Sequence, residues 1–185
     1  MAFGLVAGWL HGNDGGLRAS IGNVSAPWLF VAIIPAWWAG SSARGALLGA
    51  TTTLVALVGF YIGLTATMYG HLGTTHGLIS SFSLVLSANR IWFAAGLLSG
   101  PLGGALAGYL GARRRPAWLG VLLGALMVGE VALVAVLQNL TLPIVRIGWG
   151  AWDPRVYLPE ALLGALTIAV VVAERAIRAR SALRD

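Results

Sequence analysis

The stretch AWLGVLLGALMVGEVALVAVL, Ala117–Leu137, is apolar throughout except for Glu130. About 20 apolar residues suffice for a helix to cross the roughly 30 Å hydrocarbon core of a bilayer, so the stretch predicts a transmembrane helix. A charge inside that core costs at least about 2.5–3.5 kcal/mol on insertion scales. Glu130 must therefore be protonated, paired or hydrated, and the surroundings of this carboxyl group decide what it can do.

The composition around this stretch indicates a membrane protein. Of the 185 residues, 58% are hydrophobic and 10% are charged, whereas soluble domains average about 25% charged residues. No polar stretch is long enough to form a soluble domain, so residues 1–185 are predicted to form one all-α domain embedded in the lipid bilayer. The absence of cysteine excludes disulfides and thiolate chemistry.

Six apolar segments predict a bundle of about six transmembrane helices. They are Ala2–His11, Pro27–Ser41, Arg44–Tyr69, Asn89–Ala112, Pro116–Asn139 and Tyr157–Ile177. The first is too short to span a bilayer at about 1.5 Å per residue. Either it continues through the polar stretch HGNDGGLRAS, residues 11–20, or the start codon is misplaced. Pro35 predicts a kink or tilt in the second helix.

The arginines predict the orientation of the bundle, because they are the only basic residues besides histidine. The predicted loops place eight on one side: Arg44, Arg113, Arg114, Arg115, Arg175, Arg178, Arg180 and Arg184. Arg18, Arg90, Arg146 and Arg155 fall on the other side. Cytoplasmic loops are enriched in basic residues, so both termini are predicted to be cytoplasmic, in the cytoplasmic membrane of a bacterium. This asymmetry explains the net charge of +6 better than nucleic-acid binding does.

Aromatic and polar residues near the predicted outer boundary indicate a ligand pocket. The candidate ligand-binding residues are Trp28, Tyr61, Arg90, Trp92, Trp149, Trp152, Asp153 and Tyr157. The alternative is an ordinary aromatic belt with hydrated loops. A belt is expected at both interfaces, whereas the inner boundary holds only Trp37, Trp38 and Trp118, so the asymmetry favours an outward-facing pocket.

Glycines at every fourth position predict close helix packing. Gly96, Gly100, Gly104 and Gly108 form such a ladder in the fourth helix, and the pairs Gly4/Gly8, Gly45/Gly49, Gly59/Gly63 and Gly120/Gly124 repeat the spacing elsewhere. Small residues let two helix backbones approach closely in a membrane. Packing within the chain is the favoured explanation, and contact with a membrane partner subunit is the alternative.

Two acids are candidate catalytic residues. On a helix of 3.6 residues per turn, Glu130 shares a face with Met127 beside the Gly120/Gly124 groove, so it is predicted to point into the interior as a proton donor or ligand anchor. The alternative is a hydrogen-bonded acid that only joins helices, with Arg90 or threonine hydroxyls as partners. Glu160 follows Pro159 at a predicted helix start, where an acid also favours the helix dipole.

No metal or cofactor site is predicted. His71 and His76 lie five residues apart without an acid at ligand spacing, which falls short of a metal-binding cluster. The GPLGG stretch, residues 100–104, lies inside a predicted helix with no strand before it, so it is not a nucleotide-binding loop.

Four stretches resemble those of a known family. IGNVSAPWLFVAIIPAWWAG (21–40), VGFYIG (58–63), IWFAAGLLSGPLGGALAG (91–108) and VGEVAL (128–133) resemble an uncharacterised family of small actinobacterial membrane proteins. This resemblance implies an acid in the fifth helix, at Glu130, and little chemistry, because the family is a domain of unknown function. The architecture is similar to that of the substrate-binding S components of energy-coupling-factor transporters, although Gly4 and Gly8 stand at the spacing of their Ala-x-x-x-Ala pattern.

These observations lead to three hypotheses about function. The first is a transport component that binds a small, largely apolar molecule in an outward-facing aromatic and acidic pocket. The second is a membrane enzyme that uses the intramembrane acid on an apolar substrate, because the acids and aromatics look like those of small bacterial membrane-bound terpene cyclases. The third is a structural or assembly subunit of a membrane complex. Whether the chain is an enzyme stays open.

Overall fold

A computed structural model describes residues 1–11, 17–24, 26–69, 78–88, 90–139 and 153–181, and within these ranges the chain is all-helical. Eight helices lie in the described residues: α1 (Ala2–His11), α2 (Leu17–Asn23), α3 (Ala26–Trp37), α4 (Ser42–Tyr69), α5 (Leu78–Ala88), α6 (Arg90–Ala112), α7 (Pro116–Asn139) and α8 (Pro154–Ser181). The predicted all-α class is therefore confirmed.

Five helical segments are long and apolar enough to cross a membrane. They are Ser20–Trp37, Ser42–Thr67, Phe93–Ala112, Pro116–Leu133 and Pro154–Ser181, and α1 is a shorter apolar helix. Length and composition thus agree with a polytopic membrane protein. The segment Ser20–Trp37 differs from the other four because it includes parts of two helices, α2, which ends at Asn23, and α3, which begins at Ala26.

Two helices lie where the sequence predicts outer loops. The short helix α2 packs against α1 and α8, and α5 packs against α4 and α6. Gly22 is the point of closest approach between α1 and α2, since an added Cβ there would lie 2.8 Å from the backbone nitrogen of His11. Burial against neighbouring helices therefore gives these two segments a structure that their length alone does not support.

Glycines bring α4 and α6 into backbone contact. A Cβ added at Gly45 or Gly104 would overlap the other residue's carbonyl oxygen, and one added at Gly49 would overlap that of Gly100. Neither helix has room for a side chain at these positions. The two backbones therefore gain dispersion contacts that lipid chains cannot match, and α3 packs against both helices.

The helix α1 lies beside the second half of α4 and runs in the same direction. A Cβ at Gly59 would lie 2.6 Å from the carbonyl oxygen of Met1, and one at Gly4 would overlap that of Ala56. Gly59 is 17 residues beyond Ser42, about 25 Å along the helix at 1.5 Å per residue. Met1 is therefore level with the later half of α4 rather than with its start.

The helices α7 and α8 form a second packed pair. An added Cβ at Gly124 would lie 2.6 Å from the carbonyl oxygen of Gly164, and one at Gly120 would lie 3.0 Å from a methyl group of Val171. The residue numbers rise along one helix as they fall along the other, so the pair is antiparallel. At one end, the guanidinium carbon of Arg175 lies 4.9 Å from the centre of the Trp118 ring.

The end that holds Trp118 also collects most of the described arginines. Ser41 and Trp37 contact Gly108 and Gly111 near the end of α6, which places Arg44 and the turn Arg113–Arg115 at one end of the bundle. Arg114 adopts a positive φ of 49° and its N–H donates to the carbonyl of Gly111 at 2.9 Å, closing the end of α6. We call this end the arginine end.

Candidate functional site

The site begins at the break between α2 and α3. The first four backbone N–H groups of a helix have no partner within the helix. Water satisfies them at a helix start in solution, but a start inside an apolar span needs other partners for them. The chain resumes as a helix at Ala26, which is 1% exposed. Pro27 has no N–H, so the sequence removes one of the donors that this helix start would otherwise leave without a partner.

Glu130 supplies the acceptor for this helix start. The backbone N–H of Ala26 donates to Oε2 of Glu130 at 2.7 Å, across 104 residues of sequence. The N-terminus of a helix carries a partial positive charge, so the carboxylate both accepts a hydrogen bond and meets a favourable dipole. Glu130 lies 14 residues beyond Pro116, about 21 Å from the start of α7 at 1.5 Å per residue.

Glu160 and Tyr157 complete the cluster from α8. Their exposed fractions are 7% and 2%, and the Glu130 carboxylate interacts electrostatically with both side chains. From the residues that the structure describes, no hydrogen bond of ordinary geometry reaches either carboxyl oxygen of Glu160, although the Glu130 carboxyl group is close enough to interact with it. The interior therefore holds two carboxyl groups that interact with each other. We call Glu130 and Glu160 the carboxyl pair.

The electrostatics of the carboxyl pair limit what it can hold. Two like charges about 4 Å apart repel by about 4 kcal/mol at an effective dielectric constant of 20, so two full negative charges side by side in the interior are costly. A proton on the pair would relieve the repulsion and give the oxygens of Glu160 a partner. A bound cation would relieve the repulsion in the same way.

The start of α8 differs from the sequence prediction. The predicted helix begins at Tyr157, whereas the observed helix begins at Pro154 and is capped by Asp153. The Asp153 carboxylate accepts the backbone N–H of Arg155 at 2.9 Å and the Arg155 guanidinium at 2.7 Å. Glu160 therefore does not lie in the first turn, and its predicted role beside the helix terminus is wrong. The helix needs no second acid there because Asp153 already caps it.

Asp153 is a structural cap with a paired charge. Hydrogen bonds from the Arg155 side chain and backbone lower the pKa of Asp153 below its ordinary value. The side chain of Arg155 is largely exposed, so the pair sits at the border of the bundle. Asp153 was a predicted ligand-binding residue, and the structure gives it this partner within its own turn.

Trp28 and Tyr61, two predicted pocket residues, belong to a chain of packed rings. The ring centre of Trp28 lies 5.0 Å from that of Phe3 and 5.3 Å from that of Phe60, both edge to face. Tyr61 is 1% exposed and its ring lies 5.9 Å from that of Phe93. Aromatic ring contacts of this kind stabilise a packed interior. These two residues therefore form part of the core between α1, α3, α4 and α6.

The other predicted pocket residues separate into two groups. Arg90 is exposed at the first position of α6. The side chain of Trp92, and the whole of Trp149 and Trp152, lie outside the described residues, as do His71 and His76. Among the residues that the structure describes, no group of three histidine, cysteine or acidic side chains could hold a metal ion.

Four of the five threonine hydroxyls that the sequence offers as partners of Glu130 bond within α4 instead, and the fifth, that of Thr53, is buried without a hydrogen-bond partner among the described residues. The hydroxyl groups of Thr51, Thr52, Thr65 and Thr67 donate to carbonyl groups in the preceding turn of their own helix. Donation to the i−4 carbonyl satisfies a hydroxyl inside a helix without a neighbouring partner. The observed donor to Glu130, the backbone of Ala26, is one that the sequence analysis does not consider. The sequence signal for this contact is the serine before Ala26 and the proline after it, because both residue types are typical of a helix start.

No family model, curated protein or solved structure matches this chain. The site must therefore be interpreted from its own geometry.

Proposed function

We propose that this protein is a membrane transport component that binds a small molecule at the carboxyl pair. The observation that carries the proposal is the carboxyl group of Glu160, which is more than nine-tenths buried and interacts with a second carboxyl group, that of Glu130. Burying one acid beside another costs stability, and intramembrane acids are by default functional candidates. A ligand that completes this group would offset the cost.

The broken segment α2–α3 supports the same proposal. Transporters often build their binding sites from interrupted helices whose N-termini face the ligand at mid-membrane depth. Here the interruption at Val24 places the start of α3 against Glu130. The proposed ligand site is therefore formed by α3, α7 and α8, and the aromatic rings of Trp28 and Tyr61 stabilise the neighbouring core rather than contribute to it.

In the proposed orientation, the arginine end faces the cytoplasm of a bacterium, because cytoplasmic loops are enriched in basic residues. The carboxyl pair then lies in the outer half of the membrane. The C-terminal end of α8 is cytoplasmic in this orientation, and a cytoplasmic N-terminus remains a prediction. We also propose that the chain is related to the small actinobacterial membrane proteins that its four quoted stretches resemble.

Two alternatives have less support from the geometry. An enzyme acting on a carbocation needs several aromatic faces around the acid. Tyr157 interacts with both acids, whereas the rings of Trp28 and Tyr61 face other rings. A structural subunit needs an open small-residue face for its partner. The glycines of the α4–α6, α1–α4 and α7–α8 contacts are instead covered within the chain.

Native mass spectrometry of protein purified in mild detergent tests the proposal. We expect a co-purified small molecule on the wild-type protein and its loss from the Glu160→Gln variant, which should still unfold in one cooperative transition. Glu174→Gln is the matched control, because Glu174 is an exposed acid on the same helix that pairs with Arg178. Identical bound molecules on the wild type and on Glu160→Gln would contradict a ligand site at the carboxyl pair.

A further inference from the structure

We propose that the arginine end binds anionic phospholipids, with Arg113 holding the headgroup phosphate and an exposed face of α6 lying along the acyl chains. This surface is separate from the carboxyl pair, so the lipid site does not depend on the proposed function. Three features support it: the excess of charge at the arginine end, the order of residue types along α6, and two arginines that lie over aromatic rings.

The arginine end carries a large excess of positive charge. Of the four acids in the described residues, Glu174 alone lies at this end, and it pairs with Arg178. Positive charges gathered at one end of a bundle repel one another unless anions compensate them. An anionic membrane surface attracts arginines that flank a transmembrane helix, so lipid phosphates suit this end. The exposed arginines here are Arg44, Arg113, Arg114, Arg115, Arg175, Arg178 and Arg180.

One face of α6 presents residues in the order of the parts of a phospholipid. At 100° per residue, Leu98, Leu102, Leu106, Tyr109 and Arg113 lie within about 80° of one another. The first four are each at least 40% exposed, and Arg113 is exposed as well. This face lies opposite the glycines that pack against α4. Towards the arginine end it therefore changes from apolar to aromatic to cationic. We call it the lipid face.

The length of the lipid face matches one leaflet of a bilayer. The backbone N–H of Arg113 donates to the carbonyl of Tyr109 at 3.2 Å, so the helical turn continues through Arg113. Leu102 precedes Arg113 by 11 residues, which is about 16 Å at 1.5 Å per residue. Half of the hydrocarbon core is about 15 Å thick. With Arg113 at the level of the phosphates, Leu102 therefore lies near the ends of the acyl chains.

Aromatic rings position two of the arginines. The guanidinium carbon of Arg113 lies 4.4 Å from the centre of the Tyr109 ring, and Arg175 lies over Trp118 in the same manner. Tyrosine and tryptophan favour the boundary between membrane and water, so both guanidinium groups are held at headgroup depth. Contact with a ring uses no N–H donor, and a guanidinium group can bind two phosphate oxygens at once.

The lipid face also favours a phospholipid over a nucleic acid as the anionic partner. A nucleic acid would compensate the arginines from the aqueous side, but it would leave the exposed leucines of α6 without a role. A phospholipid satisfies both parts of the surface, because its phosphate and its acyl chains are joined at the distance that separates Arg113 from Leu102.

Lipid titration tests the proposal. Delipidated protein in mild detergent receives phosphatidylglycerol or phosphatidylcholine with identical acyl chains, and native mass spectrometry counts the bound lipids. We expect the wild type to bind phosphatidylglycerol about tenfold more tightly than phosphatidylcholine. Arg113→Gln should weaken phosphatidylglycerol binding about fivefold, as expected for one arginine beside an anionic headgroup, and leave phosphatidylcholine binding unchanged.

Arg90→Gln is the matched control. Arg90 is an exposed arginine at the other end of the same helix, so this variant loses the same charge outside the lipid face and should bind lipid as the wild type does. Both side chains are exposed, so neither substitution should disturb the fold. Equal binding of the two lipids by the wild type would overturn the proposal, as would equal losses in Arg113→Gln and Arg90→Gln.

Two soluble competitors distinguish the lipid from other anions. Glycerol 3-phosphate carries a phosphate without acyl chains, and a short single-stranded oligonucleotide carries a row of phosphates. We expect neither to displace phosphatidylglycerol at equal concentration. Displacement by glycerol 3-phosphate would show a site for a soluble phosphate, and displacement by the oligonucleotide would show a nucleic-acid surface. Either result would overturn the assignment to lipid.

Discussion

The carboxylate of Glu130 on α7 accepts the backbone N–H of Ala26, the first residue of α3, at 2.7 Å. Glu130 is therefore part of the support of a helix that begins inside the membrane, whereas Glu160 has no comparable partner among the described residues. The two acids of the carboxyl pair are alike in chemistry and unlike in structural role. Substitutions at these two positions should accordingly have different effects on stability and on binding.

Replacing Glu130 by glutamine or leucine separates its two roles. Glutamine keeps a carbonyl oxygen for the N–H of Ala26, so we expect Glu130→Gln to fold with nearly wild-type stability and to lose binding. Leucine leaves that buried N–H without its acceptor, which costs about 1–2 kcal/mol. Thermal unfolding in detergent, measured beside ligand retention, checks both expectations. Equal destabilisation by the two substitutions would argue against the capping role.

The close contact of α4 with α6 predicts a large effect of a small substitution. An alanine at position 104 would place its Cβ against the carbonyl oxygen of Gly45, so Gly104→Ala must force the helices apart at a cost on the order of 1–3 kcal/mol. Gly129 is a matched control, because an added Cβ there meets nothing within 4 Å. Gly129→Ala should be neutral or stabilise α7 by about 0.5–1 kcal/mol. Melting temperatures in the same detergent compare the two, and similar values would contradict backbone contact at Gly104.

The amino-acid sequence predicts the long helices well and the carboxyl pair only in part. The bounds of α1 and α7 agree with the prediction, because polar residues and proline interrupt the apolar runs at those points. The helices α2 and α5 contain 7 and 11 residues, and contacts with distant segments stabilise them, so local patterns do not predict them. Glu130 is recognisable as an isolated acid in an apolar run. Its position opposite Glu160 depends on the register of α7 against α8, which sequence spacing does not contain.

Asp153 predicts a specific dependence of stability on pH. Its pKa is lowered in the folded protein by Arg155, so its contribution to stability is fully present above the unfolded-state pKa of about 3.9. That contribution is lost as the pH falls through the lower folded-state value. Asp153→Asn keeps an acceptor for the helix start but has no charge. The variant should be less stable than the wild type at neutral pH, and the difference should shrink in acid.

Melting temperatures of the two proteins over a pH series check this prediction. Glu174→Gln serves again as the control, because its pair with Arg178 is exposed on both sides and exposed pairs contribute little. A stability difference between wild type and Asp153→Asn that stays constant from neutral to strongly acid pH would show that the charge is unimportant.

The proposed orientation can be measured because the chain has no cysteine. Ala112 is exposed beside the arginine end, and Ser87 is exposed near the start of α6 at the other end. In intact cells a membrane-impermeant maleimide should label Ser87→Cys and leave Ala112→Cys unlabelled until the membrane is opened. The reverse pattern would mean that the arginine end faces outward, and labelling of both would show that α6 does not separate the two sides.

The contact between Gly45 and Gly104 joins residues 59 positions apart, and this separation has a consequence during synthesis. Ribosomes add about 5–20 residues per second, so α4 waits roughly 3–12 s for the helix that covers its glycine face. Through that interval the bare groove is open to lipid and to other nascent membrane chains. Slowing elongation between these two helices should therefore lower the yield of correctly assembled protein, and a substitution that fills the groove would block assembly even when every helix inserts normally.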